Sequence, residues 1–344
     1  MRYGTHIFNE KFAIIGQKMT FIDFCSGIGG GRLGLESCGL KCLGFSEIDR
    51  AAIKTYKTFF NTSNELELGD LTQINPQSLP DFDLLISGFP CQSFSIVGKR
   101  EGLENKEKGQ IIFYLAEILK AKQPSFFILE NVKGLLNHNK GQTLKEILKL
   151  LESCGYQVFH KLLNSLDFAL AQARERVYFV GIRKDKKRDF SFSQRMTKKA
   201  LKEFLTPKQD NIFSRDSQSY QTFLRFLENK YNKGRFDLTQ ILDKDFLVLD
   251  TRQSDLRLYE NKIPTLRRDR QGLFYVFNKK LYRLSGLEAL RLQGFEKVKK
   301  LESRIKHLSQ NDILRQCGNA MSVNVIESIA KDLLCNDGKG GING

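Results

Sequence analysis

The segment TFIDFCSGIGGGRLGLESCG, Thr20–Gly39, decides the fold. An apolar strand, TFIDF, runs into a glycine-rich turn, and a helix follows that closes near Gly39. Outward from it, KCLGFSEID reads as a second strand and RAAIKTYKTFFN as a helix. DFDLLISGFPC is a buried strand ending at a Pro-Cys turn, IIFYLAEILKAK a helix and SFFILENV a further strand. TLKEILKLLESCGY is an amphipathic helix closed by Gly155, and HKLLNS and RVYFVGIR are strands. Such alternation predicts an α/β fold with a doubly wound, mainly parallel sheet. Ligands of such a sheet lie beyond the carboxyl ends of its strands.

The alternation stops after Arg183. KDKKRDFSFSQRMTKKA is polar and basic, and the next hundred or so positions mix charge, Phe, Tyr and short strands. Regularity returns with the helical LSGLEALRLQGF and the final helix SVNVIESIAKDLL, before NDGKGGING, which reads as a disordered tail. The expected organisation is a discontinuous large domain, residues 1–187 and 282–344, interrupted by a small domain, 188–281.

The 344 residues carry a formal net charge of +16. From Lys184 to Lys280 there are 23 Lys and Arg against 13 Asp and Glu, so +10 of that charge sits in under a third of the chain. A polyanionic partner, most simply nucleic acid, accounts for this; a basic but non-binding surface is the plain alternative. No apolar run is long enough to span a bilayer, and the N-terminal stretch lacks a signal-peptide core, so a cytoplasmic protein without a membrane partner is expected. The seven cysteines, Cys25, Cys38, Cys42, Cys91, Cys154, Cys317 and Cys335, form no C-x-x-C pair, which favours reduced thiols and no metal.

Several residues carry possible chemistry. The turn Gly27-Ile28-Gly29-Gly30 lets backbone approach a ligand, although its spacing is not the dinucleotide pattern G-x-G-x-x-G and a packing turn would look the same. Glu47, at the end of the second strand, suits two ribose hydroxyls, and Asp70 suits an adenine amino group. Together with the glycine turn these favour an adenosyl ligand over solvated loop carboxylates. Cys91 lies at a strand end, where a thiol pKa can be lowered, or is an ordinary buried Cys. Its neighbours Ser95 to Gly102 suggest a mobile site loop. Glu130, just past an apolar strand, is a candidate proton donor or a helix cap. Arg174 and Arg176 fall on one face, suited to an anion or a base carbonyl at a sheet edge, or to a salt-bridge ladder with Glu175.

Taken in order, FIDFCSGIGGGRLGLESCG, GFPCQSFS, ENVKGLL, QARERVYFVG, RLSGLEALRLQGF and QCGNAMSVNVIESIA resemble the motifs of the bacterial DNA cytosine-5 methyltransferase family. The resemblance runs from Phe21 to about Ala330. It is interrupted between about Lys184 and Lys280, where that family carries its variable target-recognition region. It implies the S-adenosylmethionine-dependent methyltransferase fold and a DNA cytosine C5-methyltransferase of restriction–modification type, acting on double-stranded DNA. S-Adenosyl-L-methionine would be converted to S-adenosyl-L-homocysteine, without a metal. A cognate restriction endonuclease is a possible functional partner, and a monomer on DNA the expected state.

Residue by residue, Cys91 matches the nucleophile, Glu130 the carboxylate at the N3 edge of a flipped cytosine, Arg176 the arginine at its O2, and Arg174 the neighbour of that arginine. Gly27, Gly29, Glu47, Asp70 and Asn319 match cofactor-pocket positions, and Cys25, Ile28, Ile48, Leu71, Pro90 and Ile111 are expected to line the same pocket. Gln92, Ser95, Arg267, Arg268 and Arg270 are expected to contact DNA. Cys25 and Ile48 stand where many relatives carry aromatic residues, and Ala320 replaces a common Ser. A tRNA cytosine methyltransferase on the same scaffold is the nearest rival, with a nicotinamide-dependent oxidoreductase and a catalytically dead DNA-binding relative behind it.

Overall fold

A computed structural model describes residues 18–90, 111–193, 197–268 and 271–335. The expected Ser95–Gly102 loop and the C-terminal tail lie outside them. The larger sheet comprises β1 (Thr20–Phe24), β2 (Lys41–Ser46), β3 (Leu66–Glu67), β4 (Leu84–Gly88), β5 (Phe126–Val132), β6 (Tyr156–Asn164) and β8 (Glu175–Arg183). Their order is β3-β2-β1-β4-β5-β8-β6. Pairing is parallel from β3 through β5, whereas β8 runs antiparallel to both its neighbours. The two-residue β7 (Gln172–Ala173) precedes β8 and pairs elsewhere.

Successive strand residues point to opposite faces, and the strands are apolar on both. Along β5, Phe127 and Leu129 face a layer with Leu115 and Leu119 of α3 (Ile111–Lys122) and Ile147 and Leu151 of α4 (Gln142–Ser153). Phe126 and Ile128 face the other layer, with Leu35 of α1 (Gly30–Glu36) and Ile326, Ile329 and Leu333 of α10 (Val323–Cys335). The doubly wound expectation therefore holds. A further helix, α2 (Arg50–Phe59), starts where Asp49 caps Ala51 and Ala52.

The basic insert builds a second sheet from β9 (Val248–Asp250), β10 (Arg257–Tyr259), β12 (Leu273–Phe277) and β13 (Lys280–Arg283), in the order β10-β9-β12-β13 and antiparallel throughout. Leu249, Val276 and Leu281 pack on one face with α5 (Gln218–Leu227) and α6 (Leu238–Leu242). Val248, Tyr275 and Tyr282 point the other way, into a core shared with α2, α7 (Gly286–Leu292), α8 (Leu301–Arg304) and α9 (Gln310–Asn319). The fully buried Glu288 of α7 fastens this seam: one oxygen accepts from Thr206 N and the Tyr275 hydroxyl, the other from Ser285 N and Oγ. One strand, β11 (Ile263–Pro264), leaves the insert and pairs in parallel with β7. No helix among the described residues is long and apolar enough to cross a membrane.

Candidate active site

Glu130 sits near the end of β5, paired in register with Gly88 of β4, and is buried. Its Oε1 lies 3.2 Å from Arg176 Nε and 3.9 Å from Arg174 Nη2, yet accepts no hydrogen bond of good geometry. It caps no helix. The two arginines converge on it from the start of β8, which is an interior strand rather than the sheet edge expected from sequence. Glu175 points away and pairs with Lys133.

The arginines differ in what else they hold. Arg174 is fully enclosed and donates Nη1 to Gly318 O at 3.1 Å and Nη2 to Ala320 O at 2.9 Å. Burial, reinforced by the adjacent Arg176, lowers its pKa to about 10, which leaves it a cation at neutral pH. Arg176 is more open and donates Nη1 to the carbonyl of Glu175. Arg174 thus braces the end of α9, and Arg176 faces the carboxylate.

Asn131, which sequence reasoning passed over inside its own motif, donates Nδ2 to Phe89 O at 3.0 Å and accepts from Val132 N at 2.8 Å. It fixes the chain two residues before Cys91. Cys91 itself, with Gln92 and Ser95, lies outside the described residues.

A second group of residues gathers at the ends of β1 and β2. Gly27 (φ +55°) and Gly29 (φ +84°) turn the chain through left-handed backbone into α1, and a Cβ on Gly29 would stand 2.3 Å from the Phe60 ring. Glu47 organises the turn: Gly27 N donates to Oε2 at 2.8 Å, and Ile48 N and Asp49 N donate to Oε1 at 2.8 and 2.9 Å. Ile48 is 72% exposed beside it. Asp70 is exposed and accepts from Thr72 N and Oγ1, both at 2.9 Å. Leu71 is buried in the layer with Phe24 and Phe89, on which Cys25 and Ile111 also pack, while Pro90 is exposed. Ile28 turns the opposite way, into the core with Phe45 and Tyr56, so any ligand contact it makes is through backbone. Asn319 is exposed at the end of α9, between the two carbonyls that Arg174 holds.

This region is also rich in buried polar atoms that lack a hydrogen bond of good geometry: both carboxylate oxygens of Asp23, which face the Arg32 backbone, Ser26 Oγ, and Ser87 Oγ beside the Cys25 thiol. Burial pushes the Asp23 carboxyl up to about 8 against the pull of Arg32, and pushes the Cys25 thiol up to about 12. Buried polar groups with unfilled hydrogen-bonding capacity beside an open glycine turn and a carboxylate at a strand end fit a polar ligand with hydroxyl and amino groups.

Arg267 and Arg268 are exposed, and their backbone lies directly against Gly318, where an added Cβ would meet Arg268 N at 2.3 Å. Asp49 Oδ2 is 4.0 Å from Arg268 Nη2 and 3.7 Å from Arg315 Nη2. Arg315 joins this cationic group across 47 residues of sequence and was not anticipated. Arg270 lies outside the described residues.

The strand order, the glycine turn leading to a carboxylate on the neighbouring strand, and a buried acid facing two guanidiniums together define an S-adenosylmethionine-dependent methyltransferase architecture. The fold is shared with Schizosaccharomyces pombe Dnmt2 methyltransferase (TM-score 0.65, 16% identity, 93% of this chain and 100% of that one). It is shared equally with the Entamoeba histolytica methyltransferase EhMeth (TM-score 0.65, 17% identity, 94% and 100%). Residues 19–335 match the family described as C-5 cytosine-specific DNA methylase. The chain is 37% identical over 317 residues to the type II methyltransferase M.BsuFI of Bacillus subtilis, covering 92% of this chain and 72% of that protein. It is 35% identical over 315 residues to M.HaeII of Haemophilus aegyptius, covering 91% and 92%. The chain belongs to the C-5 cytosine-specific DNA methylase family and is a DNA cytosine C5-methyltransferase.

Proposed function

We propose that this enzyme extrudes a target cytosine from duplex DNA and methylates its C5 through a covalent bond between Cys91 and C6. The observation that carries the reading is the buried Glu130 carboxylate, faced by Arg176 and set beside the strand that leads into Cys91. Addition at C6 and methyl capture at C5 both take place over the faces of the ring, which stacked neighbours cover in a duplex, so the base must leave the stack. The Cys91 thiolate forms a C–S bond at C6, and the ring's electron pair moves to make an enamine with a nucleophilic C5. Glu130 holds a proton at N3, and Arg176 donates to O2, where negative charge grows. Arg174 keeps the α9 terminus in place. Once C5 carries the methyl group, its proton passes to a solvent base, the C–H electron pair re-forms the C5–C6 double bond, and Cys91 departs as a thiolate, which restores the aromatic ring.

S-Adenosylmethionine, when bound, supplies an electrophilic methyl group. Gly27, Gly29, Glu47, Asp70 and Asn319 would hold it, with Cys25, Ile48, Leu71, Pro90 and Ile111 around its rings and chain. Residues 188–281 serve as the target-recognition domain, with Arg267, Arg268 and Arg270 on DNA phosphates. Relatives named as type II methyltransferases support a restriction–modification setting with a partner endonuclease. A monomer suffices for the chemistry.

Labelled S-adenosylmethionine incubated with plasmid DNA or with tRNA tests the reading. Label in DNA is expected, stable to RNase; label confined to tRNA overturns it. Bisulfite sequencing of DNA from expressing cells then gives the target.

A further inference from the structure

We propose that Gln172 is a positioning residue that locks the recognition segment Thr265–Leu266 in register with the Arg174–Arg176 arm. The inference rests on reading the insert as the target-recognition domain. Gln172 is completely buried, and its amide is used at both ends: Oε1 accepts from Leu266 N at 2.9 Å, and Nε2 donates to Leu292 O at 3.2 Å. Around it the two bodies join by a ladder of only two residues, Ile263 opposite Gln172 and Pro264 opposite Ala173. Ile263 N donates to Ala171 O at 2.8 Å, and Thr265 Oγ1 donates to Ala173 O at 2.6 Å.

The insert grips the same step from its other side. Arg252, almost fully buried, makes a two-pronged pair with Asp250 at 2.7 and 2.8 Å and donates Nη1 to Thr265 O at 2.8 Å. Immediately downstream, the Arg267–Arg268 backbone rests on Gly318, whose carbonyl is held by Arg174. One short segment is therefore fixed to the insert by Arg252, to the catalytic arm by Gln172 and Ala173, and to the α9 end by Gly318. A side chain that reads bases from the insert is thereby placed at a set distance from the groups that receive the extruded base. A displacement of about 1 Å in such an arrangement is enough to change rates by orders of magnitude. Gln172 is the one side chain in this set that hydrogen-bonds both bodies through a single rigid amide.

The test uses the full chain expressed in cells lacking cytosine methylation, with bisulfite sequencing of total DNA. Gln172→Leu keeps the shape and removes both hydrogen bonds. The ratio of methylation at the cognate site to that at sites differing by one base pair is expected to fall tenfold or more. Thr265→Val, which removes only the bond to Ala173 O, is expected to lower it in the same direction, and Gln172→Asn is expected not to restore it. S-Adenosylmethionine affinity of the purified variants stays within twofold of the parent. A purely structural role would lower melting temperature and all methylation together while keeping the ratio. An unchanged ratio in both Gln172→Leu and Thr265→Val overturns the proposal, and Thr265→Val decides alone if Gln172→Leu does not fold. Exchange of residues 188–281 with a relative's segment is run beside it. A chimera that keeps the parental site removes the recognition reading itself, whereas a transferred site with an unchanged ratio removes only the role of Gln172.

Discussion

Asn131 donates its side-chain amide to the main-chain carbonyl of Phe89 at 3.0 Å, so the strand that carries Glu130 also anchors the chain that delivers Cys91. Both partners are buried, and removal of the donor takes from the Phe89 carbonyl the side-chain partner it has among the described residues. That costs about 1–3 kcal/mol. Asn131→Ala is expected to lower stability by that amount and to slow single-turnover methylation tenfold or more, with S-adenosylmethionine affinity unchanged. Calorimetry and rapid-quench rates check this; a parental rate would separate Asn131 from placement of the thiol.

Glu47 accepts three backbone N–H groups at once, which makes it both an organiser of the glycine turn and the expected partner of two ribose hydroxyls. Glu47→Ala removes both functions. It is expected to weaken S-adenosylmethionine binding by about 1.5–3 kcal/mol, the usual size for a charged hydrogen-bond partner. Unchanged affinity by titration calorimetry would place the ribose elsewhere.

Asp23 makes stability depend on pH. Its carboxyl titrates near the ordinary 3.8 when unfolded and is raised to about 8 by burial when folded. Between these values the folded chain holds a proton that the unfolded chain releases, so stability falls as pH rises through that window. Asp23→Asn abolishes this contribution. The loss of melting temperature between pH 5 and pH 8 is expected to be smaller in the variant than in the parent; parallel slopes would show that Asp23 is ionised in both states.

Much of this was legible from periodicity alone. The apolar strands with their intervening helices came directly from spacing, and spacing singled out Glu130 and the two arginines one by one; only the resemblance to the methyltransferase motifs brought them to a single base. The direction of β8 did not, because alternation carries no polarity. A clue existed: residues 165–174 between β6 and β8 are too few for a parallel crossover, which needs about a dozen or more. Helix α5 was missed because its apolar stripe sits in a basic, aromatic-rich stretch, although Ser217 caps it by accepting from Tyr220 N. The bonds from Gln172 to Leu266 and from Arg174 to Gly318 span 94 and 144 residues, and no local pattern reports such pairings.

The cationic group is wider than sequence suggested. Arg268 and Arg315 share Asp49, so the carboxylate that caps α2 also tethers two guanidiniums beside the Glu47 turn. Replacing Arg267, Arg268 and Arg270 by alanine is expected to weaken DNA binding and to make its dependence on salt shallower, by about 0.9 in log–log slope for each phosphate no longer neutralised. Adding Arg315→Ala should flatten it further. A slope equal to the parent's in fluorescence titrations would show that these arginines do not neutralise phosphates.

The last expectation separates catalysis from binding at Cys91. Serine is nearly isosteric with cysteine, but its hydroxyl stays protonated at neutral pH and attacks C6 poorly. Cys91→Ser is expected to lose nearly all methyl transfer while S-adenosylmethionine affinity is retained, because exchange of sulfur for oxygen leaves the Glu47 turn and the Arg174 brace as they are. Cys91→Gly also abolishes transfer, yet leaves room for an extruded base and should still bind specific DNA with S-adenosylhomocysteine present. With 5-fluorocytosine at the target, fluorine cannot leave C5 as a proton does. The parent enzyme should therefore stay joined to DNA and run as a retarded band on a denaturing gel. That band should be missing with Cys91→Ser and with DNA that lacks the target. Its persistence in Cys91→Ser would assign the attack to another of the seven cysteines, and Cys25, whose thiol is pushed up to about 12 by burial, is poorly suited to that role at neutral pH.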